Sequence, residues 1–298
     1  RFLKILRYTL LVLITLILVI FIAIQTEYVQ NKLVRMATSR ISKSLGTEVS
    51  VKHVSIGILN RLNLEGLMIR DRSKDTLIYA GAVKVRITDW FIFKEKAVLR
   101  YAGLEDAVIK INRKDSVWNY QYILDHFASP SPNKKKKGGM ELDLKKIDLK
   151  NLRLVKNDQW IGEKMTVQFA SLIIDANRVD LNNGIFLIDD IKLHQPLFAI
   201  QSLPALRPDS LRKKTKASID TGMYFNAGNI LVQARQLKIT DGKLFIDGNP
   251  NNPSNNFDGS HIQLSKLNGS FNNLSFIKDT IRADIDLSVK DRSGFELQ

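Results

Sequence analysis

The side chains that most often carry chemistry are sparse and scattered in this sequence. Four histidines, His53, His126, His194 and His261, lie far apart, without the short paired spacing that brings two imidazoles to one metal ion. Each reads as a surface or strand histidine. The chain has no Cys, which removes a thiolate nucleophile, thiolate zinc and a disulfide framework together. Neither the G-x-S-x-G nucleophile turn, nor a phosphate-cradling G-x-x-x-x-G-K-[ST] loop, nor the dinucleotide fingerprint G-x-G-x-x-G occurs. Asp189 with Asp190, and Asp284 with Asp286, are the pairs that an acid and a base would need. The second pair falls on the polar side of an alternating stretch, where solvated charge explains it. We therefore expect no enzyme, no cofactor and no metal site.

What the sequence offers in place of reactive groups is apolar side chains at strand spacing. Val49 and Val51 alternate with polar neighbours, and Val54, Ile56 and Ile58 do so after a one-residue slip at His53 that predicts a bulge. Val83, Val85 and Ile87 alternate with Lys84, Arg86 and Thr88. Ile281, Ala283, Ile285, Leu287 and Val289 alternate with Arg282, Asp284, Asp286, Ser288 and Lys290 in the cleanest amphipathic strand of the chain.

A recurrent unit runs through the same region: two alternating apolar positions, a polar or glycine-containing break, then further apolar positions. It occurs at Leu62 to Ile69 (LNLEGLMI), Ile147 to Leu154 (IDLKNLRL), Ile191 to Ile200 (IKLHQPLFAI) and Leu237 to Ile246 (LKITDGKLFI), with a looser copy at Leu104 to Ile111 (LEDAVIKI). Each copy reads as two short strands or one kinked strand, which predicts an antiparallel meander of self-similar hairpins.

Helical signals are few. Thr26 to Leu45 carries Val29, Leu33, Met36, Ile41 and Leu45 near helical spacing, with Gly46 at the C-cap position. This amphipathic helix, residues 26–46 with its cap, either closes the end of the sheet or lies on a bilayer surface; we favour the first. Asp115 to Phe127 predicts a helix capped by Asp115 or Ser116, with Trp118, Tyr122, Ile123 and Phe127 on one face. Asp89 to Lys96 reads as a short turn or strand end. Ser129 to Gly139, Pro204 to Lys216 and Asn249 to Asn256 have loop composition and read as excursions from one architecture rather than as linkers.

Ahead of these elements stands Arg1 to Gln25, the one stretch too apolar for water. No charge occurs from Tyr8 to Ile24, and about twenty helical residues cross a hydrocarbon core of about 30 Å. A cleaved signal peptide would have a shorter apolar run and a small-residue cleavage site. We expect an uncleaved anchor over residues 1–25, with Phe2, Leu10, Leu13, Leu16, Ile20 and Ile24 facing lipid. Arg1, Lys4 and Arg7 on its N-terminal side place the N-terminus in the cytoplasm and the rest of the chain outside it.

Charged residues make up 25% of the 298 residues and hydrophobic ones 44%, which excludes a disordered chain and a polytopic membrane protein. The net charge of +15 gathers partly in Lys134 to Lys137 and Arg212 to Lys216. In a chain outside the cytoplasm it fits proximity to anionic headgroups better than nucleic acid. Residues 47–298 form one β domain whose apolar face must be covered by a second sheet, or else curl into a trough open to acyl chains or extended peptide. The chain begins without Met and stops inside an alternating pattern, so we expect the meander to continue beyond it.

At this point the pattern resembles a known family. The basic flank and signal-anchor helix, EYVQNKLVRMATSRISKSLGTEVSVKHVSI, LNLEGLMIRD and RYAGLEDAVIKINRKDSVWNY are similar to the N-terminal region of the TamB and AsmA-like proteins of Gram-negative envelopes. The matching positions are Leu45, Gly46, Leu64, Gly66, Leu67, Asp71 and the run Ser116, Val117, Trp118, Asn119 and Tyr120, where Ser116 replaces a common Gly. The resemblance implies a single-pass inner-membrane anchor and an elongated, curled periplasmic β-groove with an apolar interior, of the bridge-like lipid transfer type. It implies phospholipid transport between the two membranes or, as the alternative, outer-membrane protein assembly with an Omp85-type partner. Val83, Val85, Ile87, Ile281, Ile285 and Leu287 are the candidate lining residues; ordinary core packing is the competing account of each.

Overall fold

The computed structural model describes residues 7–8, 11–13, 15–16, 19, 22, 26–57, 61–87, 96–128, 139–180, 183–208, 226, 228–248, 259–291 and 296–297. The fold is mainly β. Helix α1 spans Glu27–Leu45 and ends as its sequence requires: Gly46 takes the left-handed conformation at φ 66° and its N–H returns to the Ser42 carbonyl. Strands β1 (Val49–Ser50), β2 (His53–Gly57), β3 (Arg61–Arg70), β4 (Thr76–Ile87) and β5 (Lys96–Arg113) follow, then helix α2 (Gln121–Ala128). Strands β6 (Gly139–Asp158), β7 (Glu163–Asp180), β8 (Ile185–His194), β9 (Leu197–Ser202), β10 (Leu231–Asp247), β11 (His261–Ile277), β12 (Thr280–Asp291) and β13 (Glu296–Leu297) complete it.

All strands join one 13-stranded sheet, so the two-sheet sandwich is not the architecture of the described residues. The sheet corrects the expectation of purely antiparallel pairing. Strands β3 to β5 pair antiparallel, as do β6 to β9 and β10 to β12, but β6 lies parallel to β5, and β10 lies parallel to β8 and β9. A parallel neighbour requires a crossover that carries the chain back along the sheet. The segments between β5 and β6 and between β9 and β10 serve that purpose, and they contain two of the three stretches read as excursions. Residues 129–138, 209–225 and 249–258, and most of the aromatic turn at 89–96, lie outside the described residues.

Helix α2 starts later than Asp115. The Asp115 carboxylate accepts the Val117 N–H, Asn119 Oδ1 accepts the Asn112 N–H, and Trp118 bridges back to Arg113, so residues 114–120 form a turn before the helix begins. Tyr122 of α2 and Leu45 of α1 are buried with Val49 and Leu77, packed against Ile69 and Ile78 at the β1–β4 end of the sheet. Thus α1 caps the sheet through Leu45 and lies against β1 and β2, while Met36 and Ile41 of the predicted stripe stay exposed.

Among the described residues no helix is long and apolar enough to cross a membrane. Of the expected anchor positions, Leu13 and Leu16 are helical and exposed, and Phe2, Leu10, Ile20 and Ile24 lie outside the described residues.

Candidate functional site: a creased apolar face

The break in the recurrent unit is a backbone event. Gly66, Asp106, Asn151, Gln195, Asp241 and Lys266 all have φ between 50° and 63°, the left-handed region, inside or between otherwise extended strands. They stand at one level across the sheet. Glu65 faces Ala82 and Leu67 faces Ala80, which sets Gly66 opposite Gly81; the same reasoning sets Gly81 opposite Asp106 and Asp106 opposite Asn151. On the other side of β7, Thr240 pairs with His194 and Lys243 with Leu197, so the Gln195–Pro196 step faces Asp241 and Gly242. The left-handed residues therefore draw one crease perpendicular to the strands. The bulge expected at His53 is not formed: Lys52, opposite Gly66, donates its N–H to the Glu65 carbonyl, and pairing continues unshifted from Ser50–Met68 to His53–Glu65.

Side chains alternate between faces with period two, so residues three apart ordinarily point to opposite sides. A left-handed residue at the crease reverses that outcome, and the register from β3 to β7 continues across it without a shift. Leu149, Leu152 and Leu154 consequently pack in one cluster, as do Leu104 and Ala107, and Ala80 and Val83. Polar side chains mark the line: Asn151 Nδ2 donates to Asp106 Oδ1 at 2.9 Å, Gln195 Nε2 to Asp241 Oδ2 at 3.1 Å, and the Asp241 N–H to Asn268 Oδ1 at 2.9 Å. At Gly66 a Cβ would sit 2.6 Å from Lys52 Cδ, so both φ and space ask for glycine.

Directly paired residues share a face, and the register strings apolar ones into rows across the sheet. One row runs Leu64, Val83, Leu104, Leu149, Leu172, Leu193, Ile239, Gly269, Leu287. Its neighbour away from the crease runs Leu62, Val85, Ala102, Ile147, Ile174, Ile191, Leu237, Phe271, Ile285. Beyond the crease, Leu67, Ala80, Ala107, Leu152 and Phe169 form a third. Ile69, Ile78, Ile109, Leu154, Val167, Phe198, Leu244 and Leu264 form a fourth. Nine strands at 4.7–4.9 Å make each complete row about 38 Å long.

Burial falls away from the crease and towards β12. Ala80 and Ala107 are fully buried and Phe169 is 7% exposed, although no second sheet covers them among the described residues; the apolar side chains that flank them pack against them. Phe198, in the fourth row, is 36% exposed. Val83 and Val85 are half-buried, whereas Ile281 and Ile285 are exposed at 69% and 61%. Ile87 pairs through its backbone with Leu99, but its side chain lies outside the described residues. The six candidate residues thus occur at both ends of the sheet, and the register joins Val83 to Leu287 and Val85 to Ile285 through residues that the sequence did not single out.

The opposite face is charged. Lys84 and Lys150 flank Glu105 at 2.6 and 3.2 Å and hold its carboxyl below the usual range against the opposing effect of burial. Arg235 pairs with Asp190 at 2.9 Å, which accounts for one member of the Asp189 and Asp190 pair. Asp284 accepts a hydrogen bond from Asn273 and stays exposed with Asp286. His126 bonds Ser44, His261 lies 3.5 Å from Asp247, and among the described residues no group of three or more His, Cys, Asp or Glu could hold a metal ion. The arrangement can shield apolar chains on one side and meet water on the other. Comparison with family models finds none that matches the chain, and comparison with curated proteins finds no match either.

Proposed function

We propose that this chain is an inner-membrane-anchored periplasmic protein whose sheet forms a trough for phospholipid passing between the inner and outer membranes. The reading rests on one observation: apolar rows continue in register from β3 to β12, and no second layer covers them among the described residues. Acyl chains would lie along the rows on either side of the crease, headgroups would remain in water at the open seam, and α1 with α2 would close the end nearest the anchor. Transfer would be passive, because moving a CH₂ between equivalent apolar sites leaves its hydration unchanged, whereas exposing it to water costs about 0.8 kcal/mol. The likeness of Leu45, Gly46, Gly66 and Asp71 to the TamB and AsmA-like pattern agrees with this role.

The test is lipid extraction. The full chain, purified without added lipid, should yield phospholipid in the mass spectrum, and the variant Leu149→Glu with Leu193→Glu should yield little. Equal lipid in both would refute the trough.

A second reading, an assembly factor for outer-membrane barrels working with an Omp85-type partner, is favoured by the outer edge of β12. Among the described residues, β13 pairs only with Val289 and Lys290, leaving Thr280 to Ser288 without a strand on that side. Such an edge accepts an extended segment by main-chain hydrogen bonds. Copurification of a barrel-assembly partner in place of phospholipid would decide for this reading.

A further inference from the structure

The charged face carries a depression that its ion pairs do not explain. It spans β6 to β11, has a volume of about 560 Å³, and is floored by Thr166 and Ala199. Their short side chains lie in one cross-strand row with the larger Val155 and Phe245, since Val155 pairs with Thr166, Thr166 with Ala199 and Ala199 with Phe245. A row that dips between two larger residues leaves a hollow. Arg153, Lys164 and Lys243 stand around it, and none of the three forms an ion pair among the described residues. No carboxylate lines the hollow. On the same face Lys84 and Lys150 hold Glu105, Lys146 meets Asp175 and Arg235 meets Asp190, whereas Lys192 and Lys238, paired across β8 and β10, form no ion pair among the described residues. The three cations at the hollow differ from these in surrounding a depression.

We infer that this hollow is a docking site for an extended acidic segment of a partner protein, on the side of the sheet opposite the apolar rows. The spacing favours a peptide over a single anionic headgroup. Arg153 on β6 and Lys243 on β10 are separated by three strand intervals, β6 to β7 to β9 to β10, about 14 Å. One phosphate cannot meet both. In an extended chain, residues i and i+4 share a face about 13 Å apart, and residue i+2 sits between them. Arg153 and Lys243 share a row with Gln168 and Leu197, so carboxylates at i and i+4 reach the two cations while an apolar side chain at i+2 passes beside Leu197 into the hollow in the next row, over Ala199 and against Phe245. Lys164, one residue row away, meets a third acid or the segment's C-terminal carboxylate. The site stands independently of whether the apolar face carries lipid.

The probe is a dye-labelled pentapeptide with glutamate at its first and fifth positions and leucine at its third, measured by fluorescence anisotropy on the full chain. The parent protein should bind it, and added salt should weaken binding. Replacing Arg153, Lys164 and Lys243 together by Ala should reduce affinity about tenfold or more, as loss of several charge pairs at one surface does. Ala199→Phe, which fills the hollow and leaves every charge in place, should also reduce it. All four positions lie on the surface, so unchanged circular dichroism of each variant verifies that folding is intact. Equal binding by the triple variant, equal binding by Ala199→Phe, or no binding by the parent would overturn the proposal. So would cation-dependent binding only to phosphatidylcholine vesicles containing phosphatidylglycerol, with none to the peptide.

Discussion

Replacing Asn151 by Gly and, separately, by Val should give an order of stabilities opposite to that of an ordinary strand. Asn151 lies in the middle of β6 at φ 54°. Both substitutions remove the hydrogen bond from Asn151 Nδ2 to Asp106, a loss of about 0.5–1.5 kcal/mol that cancels in the comparison. Valine places a branched β-carbon in the left-handed region, which costs about 1–2 kcal/mol for any side chain and is hardest for a branched one. Glycine has no such cost and forfeits about 0.5–1 kcal/mol of chain entropy. The crease therefore puts Asn151→Gly ahead by about 1 kcal/mol. In a regular strand Val exceeds Gly by about 1 kcal/mol. The two accounts differ by about 2 kcal/mol, or about 4–8 °C in Tm for a domain of this class. Thermal unfolding followed by far-ultraviolet circular dichroism measures it. A valine variant as stable as the glycine variant refutes the crease.

Phe169→Ala should lose about 3–5 kcal/mol and Phe198→Ala much less, because the first is 7% exposed beside the crease and the second 36% exposed away from it; urea midpoints report the difference. Burial pushes the Asp158 carboxyl up, but the Arg113 guanidinium, 2.8 Å away through Nε, and the Ile161 N–H outweigh it, so its pKa lies below the ordinary value. A lowered carboxylate pKa contributes stability at pH values above about 4 that is lost as pH falls through the folded value. Asp158→Asn should thus be less stable than the parent at pH 7, with Arg113 left unpaired, and should lose less on acidification from pH about 4 to 2. Tyr122→Phe removes the hydrogen bond to the Arg70 carbonyl and should cost about 0.5–1.5 kcal/mol, read as a small fall in Tm.

The β class, the amphipathic helix and its glycine cap were legible in the sequence because each follows from periodicity and local backbone preference. The recurrent unit was legible too, as two short strands or one kinked strand, and the sequence left that choice open. A break such as Glu65-Gly66 or Lys150-Asn151 looks like a turn between two short strands, and only the pairing on both sides reveals one strand bent at a left-handed residue. The clue was present in the residue types, since Gly66, Asp106, Asn151 and Asp241 are among those that tolerate positive φ. Parallel pairing was hidden because strand direction depends on where a crossover returns, which alternation does not encode. Long-range register was hidden for the same reason: Val83 and Leu287 gave no local sign of sharing a row. The hollow around Ala199 depends on residues from different strands and could not be read from any one of them.

Site-specific photocrosslinking along β6 tests the central claim most directly. A photoreactive residue is placed in turn at positions 147, 148, 149, 150, 152, 153 and 154 of the full chain in membranes, and attached phospholipid is detected by mass spectrometry. The account predicts lipid at Ile147, Leu149, Leu152 and Leu154 and none at Asp148, Lys150 and Arg153, with the three-residue step across Asn151 preserved. Lipid at no position, or at positions on both faces alike, contradicts it.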